Sequence, residues 1–226
     1  MEKKTRGGVV AFLAVQTALY LLFLAMDWME LGKRSDPVKF VSILLCLLFC
    51  LRWAGRGGER LVAWAMGFTL AADVFLLLLD RWYGAGVALF CVVQGLYLAR
   101  IVRLTGRGLW LPARAGLWAL SLIVLWRAGL LSGLNALAAL YFSNFLWNAA
   151  ATLRVPGRRG RLFALGMWLF LCCDVCVGLR NLHILPPAGA AWVQMGMWFF
   201  YLPGQVLISL SALPDAVLRG VQGERK

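Results

Sequence analysis

The chain has 226 residues, of which 62% are hydrophobic and only 15% are charged, and its mean hydropathy is +0.78. Soluble domains average about 45–50% apolar residues, so this composition excludes an ordinary soluble domain and indicates an integral membrane protein. The net charge of +13 does not indicate nucleic-acid binding, because the basic residues lie in short loops between apolar segments.

Eight apolar segments follow one another along the chain, each close to the roughly 20 residues that a membrane-spanning helix needs. They lie at approximately 8–28, 37–53, 61–79, 82–104, 111–131, 134–153, 162–179 and 189–213. Glycine and proline punctuate the joins between them, and no join is long enough for a soluble domain. The sequence therefore predicts an all-α fold, with one transmembrane domain over 1–226 built as a polytopic bundle of about eight helices.

Lysine and arginine are distributed unevenly between the two ends of such a bundle. If the segments alternate in direction, 17 of the 23 basic residues lie on the side of the two termini and 5 on the opposite side. Cytoplasmic loops of membrane proteins are enriched in Lys and Arg, so we expect both termini to be cytoplasmic.

Two aspartates lie deep inside the third and seventh segments. Asp73 in LVAWAMGFTLAADVFLLLL and Asp174 in RLFALGMWLFLCCDVCVGL have no charged neighbour for several positions. A carboxyl group costs about 2.5–3.5 kcal/mol at the centre of a membrane helix, so such residues usually face a bundle interior and mark function. Each is roughly 18 Å from the start of its helix, so we expect the two to share a cavity if their helices are neighbours. The alternative is that each is a protonated or hydrogen-bonded packing residue.

Other polar residues at a similar depth are candidates to line that cavity and bind substrate. They are Gln94 and Tyr97 on the fourth segment, Asn144 and Asn148 on the sixth, and Tyr201 and Gln205 on the eighth. Each can instead be a hydrogen-bonding contact between helices. Arg127 is a further candidate near the outer end of the fifth segment, where it either snorkels outward or pairs with an aspartate.

Metal and cofactor chemistry is not predicted from the remaining residues. All six cysteines lie inside apolar segments, where cysteine behaves as a small hydrophobic residue. Cys172 and Cys176 share a helix face, but the single histidine of the chain, His183, is expected in a loop near the outer surface. The set is not a metal site of any ordinary kind, and we expect neither a metal nor a cofactor.

Four stretches spread over most of the chain carry a resemblance to a known family. GFTLAADVFL at 67–76 is similar to a segment that contains a glycine, then a serine-like residue, then a Gly-Asp pair. GMWLFLCCD at 166–174 is similar to a G-x-x-x-F-x-x-Ser-Asp segment. GVALFCVVQGLY at 86–97 is similar to a G-x-x-x-F-x-x-x-H-x-x-Y helix, and YLPGQVLI at 201–208 to a Y-x-x-x-Q helix. In order and spacing the chain resembles the lysoplasmalogenase-like YhhN family of eight-helix membrane proteins.

The resemblance carries both aspartates, Asp73 and Asp174, over as a pair of catalytic acids. Three positions depart from the family pattern: Ala72 replaces a glycine, Cys173 replaces a serine, and Gln94 stands where the family usually has histidine. A role for a histidine in the fourth helix is therefore not carried over.

The family includes hydrolases that cleave the vinyl ether bond of lysoplasmalogen to a fatty aldehyde and a glycerophospho-headgroup. A vinyl ether is protonated at carbon, and water captures the resulting oxocarbenium ion. This chemistry needs one protonated carboxyl as general acid and one carboxylate, roles that a close pair divides between its members. The resemblance thus implies a lysophospholipid substrate among membrane lipids, and a multi-pass protein of a bacterial inner or plasma membrane.

Two other classes of function stay open at this stage. A small transporter could use the aspartates to carry protons or cations, although paired broken helices are not obvious apart from Pro203 in the eighth segment. A non-catalytic family member that binds lipid or has a structural role is favoured by the three departures and disfavoured by the two retained aspartates. Protein partners are not predicted.

Overall fold

The computed structural model describes residues 2–29, 32–107, 110–181 and 186–221, and these residues are helical, as the sequence predicts. The helices in chain order are α1 (Glu2–Trp28), α2 (Gly32–Ala54), α3 (Arg60–Asp73), α4 (Tyr83–Thr105), α5 (Leu111–Arg127), α6 (Gly133–Thr152), α7 (Gly157–Asn181), α8 (Pro187–Leu210) and α9 (Asp215–Val221). A π-helical turn, Val74–Leu78, continues α3.

The eight predicted segments correspond to α1–α8, with differences at their ends. Within the described residues, five helical spans are long and apolar enough to cross a membrane, namely α1, α2, α3 together with its π-helical turn, α4 and α7. Helix α5 has only 17 residues, because Gly129 adopts a left-handed backbone (φ 71°) and Leu130 donates back to the Leu125 carbonyl at 2.8 Å. Such a motif ends a helix, so the fifth helix stops at 127 and not at the predicted 131. The count of eight crossings stays a prediction.

The long helices form a closed arrangement in which α8 has the central position. Helices α1 to α4 pack in sequence, α4 packs on α6, α6 on α7, and α7 on α8, which returns to contact α1, α2 and α3. Helix α5 packs against α6. Helix α8 therefore bridges α3 and α7, because it packs against both.

Two glycines allow α7 and α8 to come into backbone contact. A Cβ atom added to Gly166 would lie 2.8 Å from the carbonyl oxygen of Gly204, and one added to Gly204 would lie 3.0 Å from that of Gly166. Small residues permit this close approach in membrane helix pairs. The contact brings the aromatic side chains on the following turn of α7 against those on the preceding turn of α8.

Pro203 lies inside α8 without breaking the helix. A proline has no N–H and leaves the carbonyl four residues earlier without its helical donor. That carbonyl belongs to Phe199, and the Tyr20 hydroxyl of α1 donates to it at 3.1 Å. A neighbouring helix thus satisfies the freed backbone group, which is how membrane helices tolerate proline.

One buried acid connects several helices at one end of the bundle. We call this the arginine-rich end, because Arg103, Arg154 and Arg159 lie there. Glu59, which precedes α3, accepts hydrogen bonds from Arg103 of α4 and, at 3.0 Å, from Arg159 of α7. Its backbone N–H donates to Ala212 after α8 at 3.0 Å. The ends of four helices are therefore fixed relative to one another by a single residue.

Candidate active site

Asp73 is the last residue of α3, where the helix changes to the π-helical turn. Single π-helical turns within α-helices occur frequently at functional sites. The Asp73 side chain is buried, with 5% of the residue exposed. The Tyr201 hydroxyl of α8 donates to its two carboxylate oxygens, at 3.0 Å to Oδ1 and 2.9 Å to Oδ2. The carboxyl group is thus held in one orientation by a tyrosine from another helix.

Asp174 has an equivalent partner on a different helix. It is half-buried near the end of α7, and the hydroxyl of Tyr141 on α6 donates to its Oδ2. Tyr141 is itself buried. Each aspartate is therefore paired with a buried tyrosine that is supplied by a neighbouring helix.

The two Tyr–Asp pairs meet through shared neighbours and not through direct packing of their helices. Among the described residues the backbones of α3 and α7 do not pack against each other, and α8 packs against both. Both aspartates are close enough to Tyr201 and to Cys173 to interact electrostatically with each of them. A common cavity for the two carboxyls stays a prediction, but both carboxyls have Tyr201 and Cys173 as neighbours.

A cluster of aromatic rings connects the two pairs. The ring of Phe170 on α7 packs on Tyr201 with 5.5 Å between centroids and on Phe145 with 4.7 Å. Phe145 in turn packs on Tyr141 at 5.8 Å. These rings keep the carboxyl groups in an apolar, water-poor region, where electrostatic and hydrogen-bonding effects are stronger than in water.

The predicted residues on α4 and α6 form a hydrogen-bonded chain. The Asn148 amide donates to the Gln94 backbone oxygen at 2.8 Å and to its side-chain Oε1 at 2.9 Å. Arg114 of α5 donates to Asn148 Oδ1 at 2.9 Å and to Asn144 Oδ1 at 3.2 Å. The Gln94 Nε2 atom is buried and has no hydrogen-bond partner among the described residues. The hydrogen-bonded chain therefore runs from Arg114 through Asn148 to Gln94.

Tyr97 and Gln205 lie deeper toward the arginine-rich end. Both are fully buried, and among the described residues the Tyr97 hydroxyl and the Gln205 amide have no hydrogen-bond partner. The electrostatic neighbours of Tyr97 are Cys46, Cys50 and Arg100, and not the aspartates. Gln205 is one turn beyond Tyr201 on α8.

Arg127 lies apart from these residues. It is the last residue of α5, its side chain is exposed, and it makes no ion pair within the described part of the chain. Of the two alternatives for Arg127, pairing with an aspartate is therefore not seen, and the exposed side chain agrees with an outward orientation. The reason is the early end of α5, which leaves the guanidinium at the bundle surface.

Several polar residues of this region were missed from the sequence. Tyr141 gives no signal beyond being a tyrosine in an apolar helix, and Arg114 is distinguished in the sequence only as one of the 17 basic residues on the side of the termini. Lys39, one of the five basic residues on the opposite side by sequence, is 4% exposed within α2 and pairs with Asp27 of α1 at 2.9 Å. Its ammonium group lies 4.5 Å from the centre of the Trp198 ring.

The sequence predicts no metal site, and the potential ligands in the described part of the chain are dispersed. No group of three or more His, Cys, Asp or Glu side chains within residues 2–29, 32–107, 110–181 and 186–221 is placed to hold a metal ion. His183 lies outside the described residues, so its predicted loop position stays a prediction.

The apolar helices and the two Tyr–Asp pairs define a helical membrane protein with polar side chains inside its bundle. Comparison with known families gives a more specific result. The YhhN family matches the chain over residues 34–212, and the chain belongs to this family. No significant match was found among curated proteins or solved structures.

Proposed function

We propose that this protein is a membrane hydrolase that cleaves the vinyl ether bond of a lysoplasmalogen. Asp73 and Asp174 are its catalytic acids, and Tyr201 and Tyr141 are positioning residues that orient them. The products are a fatty aldehyde and a glycerophospho-headgroup. No metal takes part in this proposal.

The reaction proceeds in three steps that use one protonated carboxyl and one carboxylate. The protonated aspartate donates its proton to the vinyl carbon remote from the ether oxygen, which gives an oxocarbenium ion. The other aspartate takes a proton from water as the water oxygen bonds to the cationic carbon, which gives a hemiacetal. The hemiacetal then breaks at the bond to the glycerol oxygen. That oxygen takes the proton held by the second aspartate, and the hemiacetal hydroxyl gives its proton to the first, so the aldehyde forms and both carboxyls are restored. The sum is hydrolysis of the vinyl ether by one water.

The observation that carries the proposal is the repetition of one arrangement on two pairs of helices. A carboxylate that receives a tyrosine hydroxyl inside an apolar bundle has a fixed orientation, and fixed orientation is what acid–base transfer to a bound substrate needs. The aromatic rings between the pairs offer the apolar surface against which an alkenyl chain packs. The membership of the YhhN family supports the same activity.

The test is aldehyde release from lysoplasmalogen by the purified protein in detergent micelles. Asp73→Asn and Asp174→Asn remove the titrating group and keep its shape, so each should lower the rate by about 100-fold or more. The double variant should be little worse than either single one, because residues that act as a unit are not additive. Asp80→Asn is the matched control, because Asp80 is exposed and accepts a hydroxyl from Tyr83 away from the site.

The alternatives are separated by the wild-type protein. If it binds lysoplasmalogen and releases no aldehyde, a non-catalytic lipid-binding role replaces the hydrolase assignment. If it instead moves protons or cations across liposome membranes and the Asn variants stop that flux, a transporter role replaces it. Retention of full hydrolysis by both Asn variants would remove the aspartates from the mechanism.

A further inference from the structure

A cavity lies at the arginine-rich end of the bundle, between the end of α4, the start of α5 and the end of α6. Its volume is about 70 Å³. Three arginines and two tryptophans line it, namely Arg107, Arg114, Arg154, Trp110 and Trp147. Most of the remaining lining is apolar and comes from α4 and α6. The cavity lining therefore combines three cationic side chains with an apolar wall.

The charge in this cavity is entirely positive. Its lining contains no Asp or Glu, and Arg107 and Arg154 make no ion pair among the described residues. Two other arginines at this end behave differently, because Arg103 and Arg159 both pair with Glu59. Positive charge that is left without an acid around a recess is complementary to an anion.

Arg114 is a buried arginine of the cavity lining whose orientation is fixed by hydrogen bonds. Its residue is 7% exposed, and its guanidinium is oriented by the Asn144 and Asn148 side chains. A guanidinium held in this way has a fixed orientation in the cavity lining. Arginine has the planar fork geometry that suits phosphate oxygens.

The tryptophans supply a further donor and an interfacial surface. The rings of Trp110 and Trp147 are stacked, with 6.5 Å between centroids and an angle of 24°. The Trp147 indole N–H is buried, and it has no hydrogen-bond partner among the described residues. Tryptophan is enriched where membrane helices meet the headgroup region, and buried indole N–H groups usually have an acceptor.

We propose that this cavity binds the phosphate headgroup of an anionic membrane phospholipid, with an acyl chain along the wall formed by α4 and α6. The apolar wall favours a lipid over a free phosphate ion, which would use only the arginines. The site is separate from the aspartates: Ala150 in its lining is nine residues beyond Tyr141 on α6, or about 13 Å along the helix. The proposal does not depend on the hydrolase assignment.

The test is lipid binding by the full-length protein in detergent, measured by native mass spectrometry with phosphatidylglycerol and phosphatidylcholine as probes. We expect tighter binding of one phosphatidylglycerol than of phosphatidylcholine. The double variant Arg107→Gln/Arg154→Gln should weaken phosphatidylglycerol binding by on the order of tenfold or more, since each basic residue near a membrane surface contributes measurably to anionic lipid binding. Trp147→Phe keeps the ring, loses the donor, and should weaken binding by a few-fold.

The matched control is Arg56→Gln/Arg161→Gln. These two arginines are exposed outside the cavity lining, and the control removes the same charge. It should change phosphatidylglycerol binding by less than about twofold. Equal loss in the control and the test variant would mean that net charge alone attracts the lipid, and the site assignment would fail. Equal affinity for both lipids, or displacement of phosphatidylglycerol by millimolar inorganic phosphate, would also overturn the proposal. A melting temperature for each variant identifies loss of fold.

Discussion

Replacement of Tyr201 by phenylalanine tests how the candidate site orients its acid. The variant removes the only atom of Tyr201 that contacts the Asp73 carboxylate, at 2.9 and 3.0 Å from its two oxygens, and keeps the ring that packs on Phe170. A hydrogen bond to a charged group contributes about 1.5–3 kcal/mol. If that orientation is needed in the transition state, the rate of aldehyde release should fall by about 10- to 150-fold.

The effect should lie in kcat more than in KM, because the hydroxyl positions an acid and the proposal gives it no contact with the lipid. The double variant Tyr201→Phe/Asp73→Asn should hydrolyse lysoplasmalogen at nearly the rate of Asp73→Asn alone, since the tyrosine acts through the aspartate. Tyr83→Phe is the control, because it removes a tyrosine–aspartate hydrogen bond at the exposed Asp80. The reasoning is refuted if Tyr201→Phe is as active as Tyr83→Phe, or if the Tyr201 and Asp73 effects multiply in the double variant.

Three further predictions concern the bundle. Gly166→Ala should lower the stability measured by thermal unfolding in detergent by about 1–3 kcal/mol, because the new Cβ would lie 2.8 Å from the Gly204 carbonyl oxygen. The control is Gly178→Ala in the same helix, whose new Cβ meets no atom within 4 Å and should leave the stability unchanged. Tyr20→Phe should cost about 0.5–1.5 kcal/mol in the same assay, since it leaves the Phe199 carbonyl without a donor; an unchanged melting temperature would show that another group replaces the hydroxyl. Reporter fusions at the two termini should both give a cytoplasmic signal, and opposite signals would mean that the number of crossings is odd.

The sequence by itself determined the helical, membrane character of this protein. A run of about 20 apolar residues must satisfy its own backbone hydrogen bonds in lipid, and a helix does so within one segment. For that reason α1–α8 could be located from composition, to within a few residues at most ends. The same cost argument identified Asp73 and Asp174, because an acid in such a segment stands out whatever it contacts.

Helix ends and partners required the tertiary structure. The left-handed Gly129 ended α5 early and placed Arg127 at the surface, a backbone event that hydrophobicity does not record. Tyr141 could not be assigned to Asp174 from the sequence, because the two are 33 positions apart and a tyrosine in an apolar helix fits packing equally well. Which side chains meet between helices depends on the rotation and contact of each pair.

The family resemblance and the fold contributed different parts of the site. The motifs gave the two aspartates, Tyr201 and Gln205 with their spacing, and the match over residues 34–212 confirmed the family. Only the fold decided that Tyr201 donates to Asp73, and that α8 separates α3 from α7. One physical reason is the close contact at Gly166 and Gly204, where the absence of side chains lets the backbones of α7 and α8 meet and brings Tyr201 against Phe170.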